Sequence, residues 1–351
     1  MKVLIFGGTG AMGVHLTRIL ADMGHDALVT SRSERAPDNP RIRFLRGDAH
    51  DRSFLEQCLQ ERPDAVVDFM NYPAAKFQTR RDLILNSVGQ YLFLSSARVY
   101  AQSETPLTED SPRLLDVTTD AAYLKTTEYA LEKARSENFL RDARQSNWTI
   151  VRPYITYSVE RLQLGIMEKE CWLYRALHGR SIVFSKDIAQ RTTTLTYGGD
   201  VALRMTHLIG REKALGECFH IASSRSVLWS DVLRVYVETL ERCTGVKPNV
   251  ILTDSGDDTA AKLGAYYQLH YDRLYDRVFD SGKTDAFLRL SAPYKNAEDG
   301  LAACLEAFLS GSRTFRQTNG RLERYFDGLT KERTPLSEIS GWKQKLKYMI
   351  G

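Results

Sequence analysis

Cysteine is scarce in this chain of 351 residues; there are five, Cys58, Cys171, Cys218, Cys243 and Cys304. None lie two or three positions apart, which excludes a CxxC redox or metal-knuckle pattern, and no metal site is expected. A count so small and odd reads as reduced thiols in a cytoplasmic protein rather than a secreted disulfide framework. Long apolar runs are lacking too. None reaches the roughly eighteen residues of a membrane span, so no membrane partner is expected. The opening run Lys2–Phe6 is too short for the apolar region of a signal peptide. Charge of one sign is also missing in excess: 48 Lys plus Arg stand against 44 Asp plus Glu, a net +4. With no basic stripe, nucleic acid is not an expected partner. Repeats and low-complexity segments are absent. What remains is 43% hydrophobic and 26% charged residues, the make-up of a globular protein with one large domain or two modest ones.

The informative residues come first. Lys2–Phe6 reads as a short buried strand, followed at once by Gly7-Gly8-Thr9-Gly10-Ala11-Met12-Gly13. Met12, Leu16, Ile19, Leu20 and Met23 then recur on one helical face. Gly24-His25 ends that helix, and Ala27–Thr30 starts a second strand. Gly7, Gly10 and Gly13 thus form a GxxGxxG set in a strand–turn–helix–strand context, with Thr9, Ala11 and Met12 between them. A pyrophosphate approaches backbone only where no Cβ intrudes, and a helix N-terminus offers it free N–H groups. The pattern therefore predicts dinucleotide binding. After the second strand comes Ser31-Arg32-Ser33-Glu34-Arg35. Arg32 stands where an NAD site usually places an acid, with Ser31 and Arg35 beside it. This favours NADP, with NAD as the alternative.

These residues resemble the extended short-chain dehydrogenase/reductase family, the group of NAD-dependent nucleotide-sugar epimerases and dehydratases. Further likenesses are Phe44-Leu45-Arg46-Gly47-Asp48 with Asp51, a fourth strand Asp64–Met70, a fifth strand and serine turn Tyr91–Tyr100, and Thr149-Ile150-Val151-Arg152-Pro153. Asp200-Val201-Ala202 and Gly216–Ile221 continue it. The resemblance is close over roughly residues 1–235 and loose beyond. It implies an α/β fold: a Rossmann-like, doubly wound parallel sheet with a smaller, mostly helical C-terminal substrate lobe. The expected division is 1–155 plus about 198–223 for the dinucleotide domain, and 156–197 plus 224–351 for the lobe and a helical extension. By the resemblance Asp48 lies near the adenine, Met70 lines the cofactor, and Tyr154 lies against the nicotinamide.

The family's catalytic signature is Tyr-x-x-x-Lys on a helix. Lys125 has Ala121 four residues before it, and Tyr123 is only two away. Tyr129 and Lys133 have the right spacing, one turn apart on one face, with Glu137 continuing it. A phenol is a poor base at neutral pH, and a neighbouring ammonium favours its charged form. Tyr129 would exchange a proton with a substrate hydroxyl, Lys133 would hold the nicotinamide ribose, and Ser96 would hydrogen-bond the same substrate oxygen. No Asp or Glu follows Ser96 in Ser96-Ala97-Arg98-Val99-Tyr100, which argues against a 4,6-dehydratase or a decarboxylase. Arg98, Arg161, Arg180 and Arg191 are weaker candidates for substrate contacts, phosphate among them.

The expected function is an NAD(P)-dependent oxidoreductase or epimerase acting on a nucleotide sugar or related polyol. The stretch from Asp68 to Ser95 is shorter than the family's. This argues against its usual helix-bundle dimer, leaves the oligomeric state open, and favours the divergent branch. The other reading is a non-catalytic dinucleotide-sensing regulator or an RNA-associated protein. Tyr266, Tyr267, Tyr271 and Tyr275 read as a core stripe, and Asp272-Arg273 and Asp276-Arg277 as ion pairs or solvated faces.

Overall fold

Lys2–Phe6 forms strand β1, and Val3, Leu4, Ile5 and Phe6 have no exposed surface. A strand covered on both faces belongs in the middle of a parallel sheet with helices on either side. The computed structural model, which describes residues 1–350, has this arrangement. Strands β2 (Asp26–Ser31), β3 (Ile42–Arg46), β4 (Ala65–Asp68), β5 (Gln90–Leu94), β6 (Trp148–Pro153) and β7 (Glu217–Ile221) complete a seven-stranded sheet. Its order is β7-β6-β5-β4-β1-β2-β3, with every neighbouring pair parallel. The chain winds outward to β3 and then returns to the other side of β1 with β4. The topological switch therefore lies between β1 and β4, where open α/β sheets bind ligands.

Alternation along the strands sends successive side chains into two separate cores. Val3, Ile5, Val29 and Val67 pack with Leu16 and Leu20 of α1 (Gly13–Asp22) on one face. Leu4, Phe6, Val66 and Phe93 pack on the other with Leu55 of α2 (Arg52–Leu59), Phe77 and Ile84 of α3 (Ala74–Leu85), and Leu140 of α4 (Tyr129–Arg141). Each such side chain, fully buried, stabilises the sheet by about 1.5–3 kcal/mol.

The expected elements are present with one shift. Strand β4 ends at Asp68, so Phe69 and Met70 belong to the loop that follows. Helix α3 begins at Ala74, where Pro73 opens it and the Ala74 N–H finds a carboxylate on α4.

The chain divides into two compact units. The first is Met1–Thr156, Thr194–Ser224 and Phe279–Lys295; the second is Tyr157–Thr193, Arg225–Val278 and the chain from Asn296. Phe279–Lys295, assigned to the lobe in the sequence reading, clusters with the first unit. In the second unit, Ile182–Ser185 pairs in parallel with Val250–Thr253 among the helices Lys169–Leu177, Trp229–Thr244, Ala297–Ser310, Gly320–Thr330 and Trp342–Ile350. The tyrosine stripe is not core there: Tyr266 is 54% exposed, and Tyr267, Tyr271 and Tyr275 are half-buried. The buried members of that segment are instead Leu269 and the ion triple of Asp272 with Arg273 and Arg277. No helix among the described residues is long and apolar enough to cross a membrane.

Candidate functional site

The glycine turn after β1 is closely packed at Gly7 and Gly13. Gly7 has φ +72°, and a Cβ there would stand 3.2 Å from the Met70 sulfur and from Phe69 Cβ. A Cβ on Gly13 would fall 2.5 Å from Gly8 Cα and 2.8 Å from the Gly7 carbonyl oxygen. The Gly10 N–H donates to Gly7 O at 3.1 Å, and Gly10 O accepts from Val14 N at 3.1 Å. Helix α1 has no side-chain cap at Met12. Bare backbone ahead of an uncapped helix N-terminus suits a pyrophosphate, so these residues fit a dinucleotide.

The residues expected to meet the adenosine lie at the ends of β2 and β3. The Ser31 hydroxyl is buried and donates to Ser33 O at 2.8 Å, so it serves its own turn. Arg32 and Arg35 are exposed, and neither forms an ion pair among the described residues. A hollow of about 440 Å³ lies beside the turn, lined by Thr9, Thr17, Arg18, Arg35, Asp38 and Phe44 among others. Asp48 is exposed after β3, its carboxylate accepting from His50 N at 2.9 Å. Asp51 instead caps α2, accepting from Ser53 N.

Helix α4 starts at Tyr129, and Glu128 before it accepts from Ala130 N as its cap. Tyr129 stays half-exposed while Lys133, one turn on, is 4% exposed. The Lys133 ammonium donates to Leu94 O at 2.7 Å and Met70 O at 3.2 Å. Two of its three N–H bonds are thereby taken by the ends of β5 and the β4–α3 loop, and one remains for a ribose hydroxyl. The ammonium lies 5.7 Å from the Tyr129 ring centroid. The Arg98 guanidinium lies 5.2 Å from that centroid and pairs with Glu128 at 2.5 Å. Ser96 opens the short turn after β5, accepting from Arg98 N at 3.2 Å. It sits two residues from Leu94, which holds Lys133, and two from Arg98, which faces Tyr129. Lys125 of the rejected pairing is exposed, and Tyr123 donates to Glu128 instead.

Behind the pair is a buried ionic cluster. Glu137 receives both Nε and a terminal nitrogen of Arg152, at 2.8 and 2.6 Å, the Ser95 hydroxyl at 2.5 Å and Arg113 at 3.1 Å. Burial alone would raise its carboxyl, but Arg152, Ser95 and Arg113 together hold it below the usual carboxylate range. Arg152 also donates to Tyr100 at 3.0 Å. The cluster ties α4 to the ends of β5 and β6, the strands that carry Ser96 and follow the helix.

Two groups of expected contacts fall out differently. Tyr154 is 1% exposed and packs against Phe279 with ring centroids 5.1 Å apart. It is a core aromatic, with no surface to offer a nicotinamide in this arrangement. Arg98, Arg161, Arg180 and Arg191 all face carboxylates: Glu128, Glu168, Glu338 and Asp276. The sequence reading missed Asp68, Glu128 and Glu132. Asp68 had a signal, since it is the one charge inside Ala65–Met70. It has no exposed surface, and burial pushes its carboxyl up against the pull of Arg80 and its hydrogen-bond donors.

A family model described as the NAD dependent epimerase/dehydratase family matches residues 3–222. The 41-kDa chloroplast stem-loop binding protein b of Arabidopsis thaliana is 26% identical over 302 residues, 82% of this chain and 69% of that protein. The 2'-dehydrokanamycin reductase of Streptomyces kanamyceticus is 26% identical over 303 residues, covering 84% and 80%. A UDP-glucose 4-epimerase of Lactobacillus helveticus is 31% identical over 134 residues, 32% of this chain and 41% of that one. Among solved structures, UDP-glucuronic acid 4-epimerase from Bacillus cereus, in complex with UDP-glucuronic acid and NAD, superposes with a TM-score of 0.65 at 17% identity, covering 88% of this chain and 99% of that one. An epimerase from Methanothermobacter thermautotrophicus gives 0.69 at 18%, covering 88% and 91%; at these identities the likeness is one of fold. The family match runs from β1 through β7, well over half of the residues, and the chain belongs to the NAD-dependent epimerase/dehydratase family.

Proposed function

We propose that this protein is an NAD(P)-dependent epimerase or oxidoreductase acting at a hydroxyl-bearing carbon of a nucleotide-linked sugar or related polyol. The observation that carries the reading is the juxtaposition of Tyr129 and Lys133 at the start of α4 with the ends of β4 and β5. Gly7, Thr9, Gly10, Ala11, Met12 and Gly13 would hold the pyrophosphate, Asp48 and Met70 would flank the rest of the dinucleotide, and Lys133 its ribose. The nicotinamide supplies a hydride acceptor or donor when bound. Tyr129 takes or returns the proton of the substrate hydroxyl. The Ser96 hydroxyl binds the same oxygen and stabilises charge that develops there. Lys133 holds a positive charge near the phenol and stabilises negative charge that develops on its oxygen during that transfer.

NADP is the preferred dinucleotide in this reading. Arg32 and Arg35 carry unneutralised charge, and Arg35 lines a hollow large enough for a phosphate. A water-eliminating 4,6-dehydratase is not favoured, because the turn after Ser96 carries Arg98 where such chemistry wants an acid. The nucleotide-sugar class draws support from the UDP-glucose 4-epimerases among the relatives. A second reading, a binding protein without turnover, draws support from the stem-loop binding relative.

Tyr129→Phe tests the proposal. With a panel of UDP-sugars and NAD(H) or NADP(H), the wild type turns over, and the variant loses about a thousandfold in kcat while still binding dinucleotide. Full turnover by the variant refutes the role of Tyr129. Dinucleotide binding without turnover in the wild type selects the second reading. Mass spectrometry of small molecules released on denaturation identifies the dinucleotide and any co-purifying nucleotide sugar.

A further inference from the structure

The loop Phe69–Pro73 between β4 and α3 is short and is clamped at both ends. Oδ1 of Asp68 accepts from Met70 N at 2.9 Å and from the Tyr72 hydroxyl at 3.3 Å, and Oδ2 accepts from the Tyr91 hydroxyl at 3.0 Å. At the far end, Ala74 N donates to Glu132 of α4 at 2.6 Å. Between the clamps, the Met70 peptide meets both halves of the candidate site. Its carbonyl accepts from Lys133 at 3.2 Å, and its sulfur stands 3.2 Å from the space a Gly7 Cβ would need. The Met70 backbone is therefore bonded to a buried carboxylate through its N–H and to the Lys133 amine through its carbonyl. Arg80 closes the group from behind, donating to the Tyr72 hydroxyl at 3.1 Å with its guanidinium 4.4 Å from that ring.

We propose that Asp68 is a positioning residue: it fixes the Met70 peptide, and through it the Lys133 ammonium and the wall of the glycine turn, in the register that dinucleotide binding requires. This rests on the function proposed above and adds to it. The register follows from the sheet, since Asp68 is paired with Phe6 of β1 on one side and Phe93 of β5 on the other. A carboxylate there reaches the N–H two residues on without leaving the strand line. The Lys133 side chain has three rotatable donors and little preference of its own for one direction. Fixed carbonyls at Leu94 and Met70 supply that direction, and a misplacement of about an ångström at such a point costs up to about a hundredfold.

The experiment measures dinucleotide affinity by fluorescence or calorimetry, and kcat and KM separately, in the full-length protein. Asp68→Asn keeps an oxygen for Met70 N and retains both affinity and kcat. Tyr91→Phe and Arg80→Met each remove a partner that does not touch Met70; they lower thermal stability and leave dinucleotide affinity near the wild-type value. Asp68→Leu combined with Arg80→Met removes the acceptor without leaving a buried charge alone. It weakens dinucleotide binding at least about tenfold and lowers kcat at saturating dinucleotide. Asp68→Leu/Arg80→Met with unchanged affinity overturns the proposal, and so does a Tyr91→Phe or Arg80→Met variant that loses as much. Wild-type protein that binds no dinucleotide brings down the functional reading together with this one. Wild-type binding with intact Asp68→Leu/Arg80→Met affinity brings down this one alone.

Discussion

Each of the two units holds an ionic cluster around a buried arginine, Arg152 in one and Arg175 in the other, and these two clusters are balanced in opposite ways. In the first, Arg152 and Arg113 share one carboxylate, Glu137, which also takes the Ser95 hydroxyl. In the second, Arg175 alone serves three: Glu323 at 2.7 Å, Asp327 at 2.9 Å and Glu332 at 3.0 Å. Where cations outnumber the acid, the carboxyl of Glu137 is held below its usual range despite full burial. Where acids outnumber the cation, they diverge. Burial and the neighbouring Asp327 raise Glu323 against the pull of Arg175. Asp327 overcomes its own burial through Tyr348, Thr334 and Arg175 and stays low. A single guanidinium does not keep three crowded carboxylates equally charged. The first cluster is a fixed charge that aligns the helix bearing Tyr129 and Lys133. The second is a partly relieved one that ties Lys169–Leu177 to Gly320–Thr330 and the segment after it.

The largest break in this comparison comes from Arg152→Met. It leaves Glu137 with Arg113 alone and costs about 3–5 kcal/mol of stability. Because Ser95 and α4 hang on the same carboxylate, turnover per folded molecule falls as well, by about a hundredfold. Unfolding in urea and turnover normalised to folded protein check both. A stability loss with unchanged turnover reduces the cluster to a structural pin. Arg175→Met is the matching change in the second unit. It strands three carboxylates and costs that unit about 3–5 kcal/mol, but dinucleotide affinity is unchanged, because the glycine turn and Lys133 belong to the first unit. Calorimetry then shows one transition moving ahead of the other, and a dinucleotide titration on the same sample shows the affinity retained.

This contrast also marks where the sequence was legible. The turn Gly7–Gly13 and the pair Tyr129–Lys133 were readable because their physics is local. A Cβ clash within six residues and a spacing of one helical turn leave direct marks on the chain. Glu137 and Arg152, fifteen positions apart, were visible as family landmarks, although their bond to each other was not. Arg175 finds Glu323 across 148 positions, and no periodicity connects them. The same distance effect hid the partners of Arg180 and Arg191, which read as free cations until the fold brought carboxylates to them. The packing of Tyr154 was hidden for a related reason, since its neighbour Phe279 comes from a segment expected in the other lobe. Asp68 was the exception, a charge inside an apolar strand, whose meaning depended on a peptide two residues on and an amine 63 positions from that peptide.

Acidity sharpens the comparison next, with opposite signs in the two units. Glu137 is depressed in the folded state, so its contribution is fully present above the unfolded value of about 4.3. That contribution is lost only as pH falls through its lower folded value. Glu323 is raised, so the stability linked to it is fully present below about 4.3 and is lost as pH rises through its folded value. On mild acidification from neutrality, the contribution of Glu137 therefore holds steady while that of Glu323 gains slightly. Further down, protonation of Asp327 and Glu332, both held low, destabilises the second unit as well. Pulsed deuterium labelling across a urea series reads the two separately, from peptides of α4 and of Gly320–Thr330. A second unit that weakens steadily from pH 7 downward contradicts the assignment to Glu323.

The smallest effect isolates the cause. Glu323→Gln keeps an oxygen able to accept from Arg175 and from the Thr334 hydroxyl, the two groups Glu323 holds at 2.7 and 3.2 Å, and it removes the charge that crowds Asp327. Stability of the second unit at neutral pH then stays level or rises by about 1 kcal/mol, less than a tenfold change in its folding equilibrium. The gain on mild acidification disappears, because no proton is left to take up at that position. Asp327→Asn does the reverse, since that carboxylate accepts from Thr334 N, Tyr348 and Arg175 and is held in its charged form; it lowers stability at neutral pH. If Glu323→Gln proves as costly as Asp327→Asn at pH 7, the three acids share Arg175 evenly. The imbalance that separates this cluster from the one behind Tyr129 then disappears.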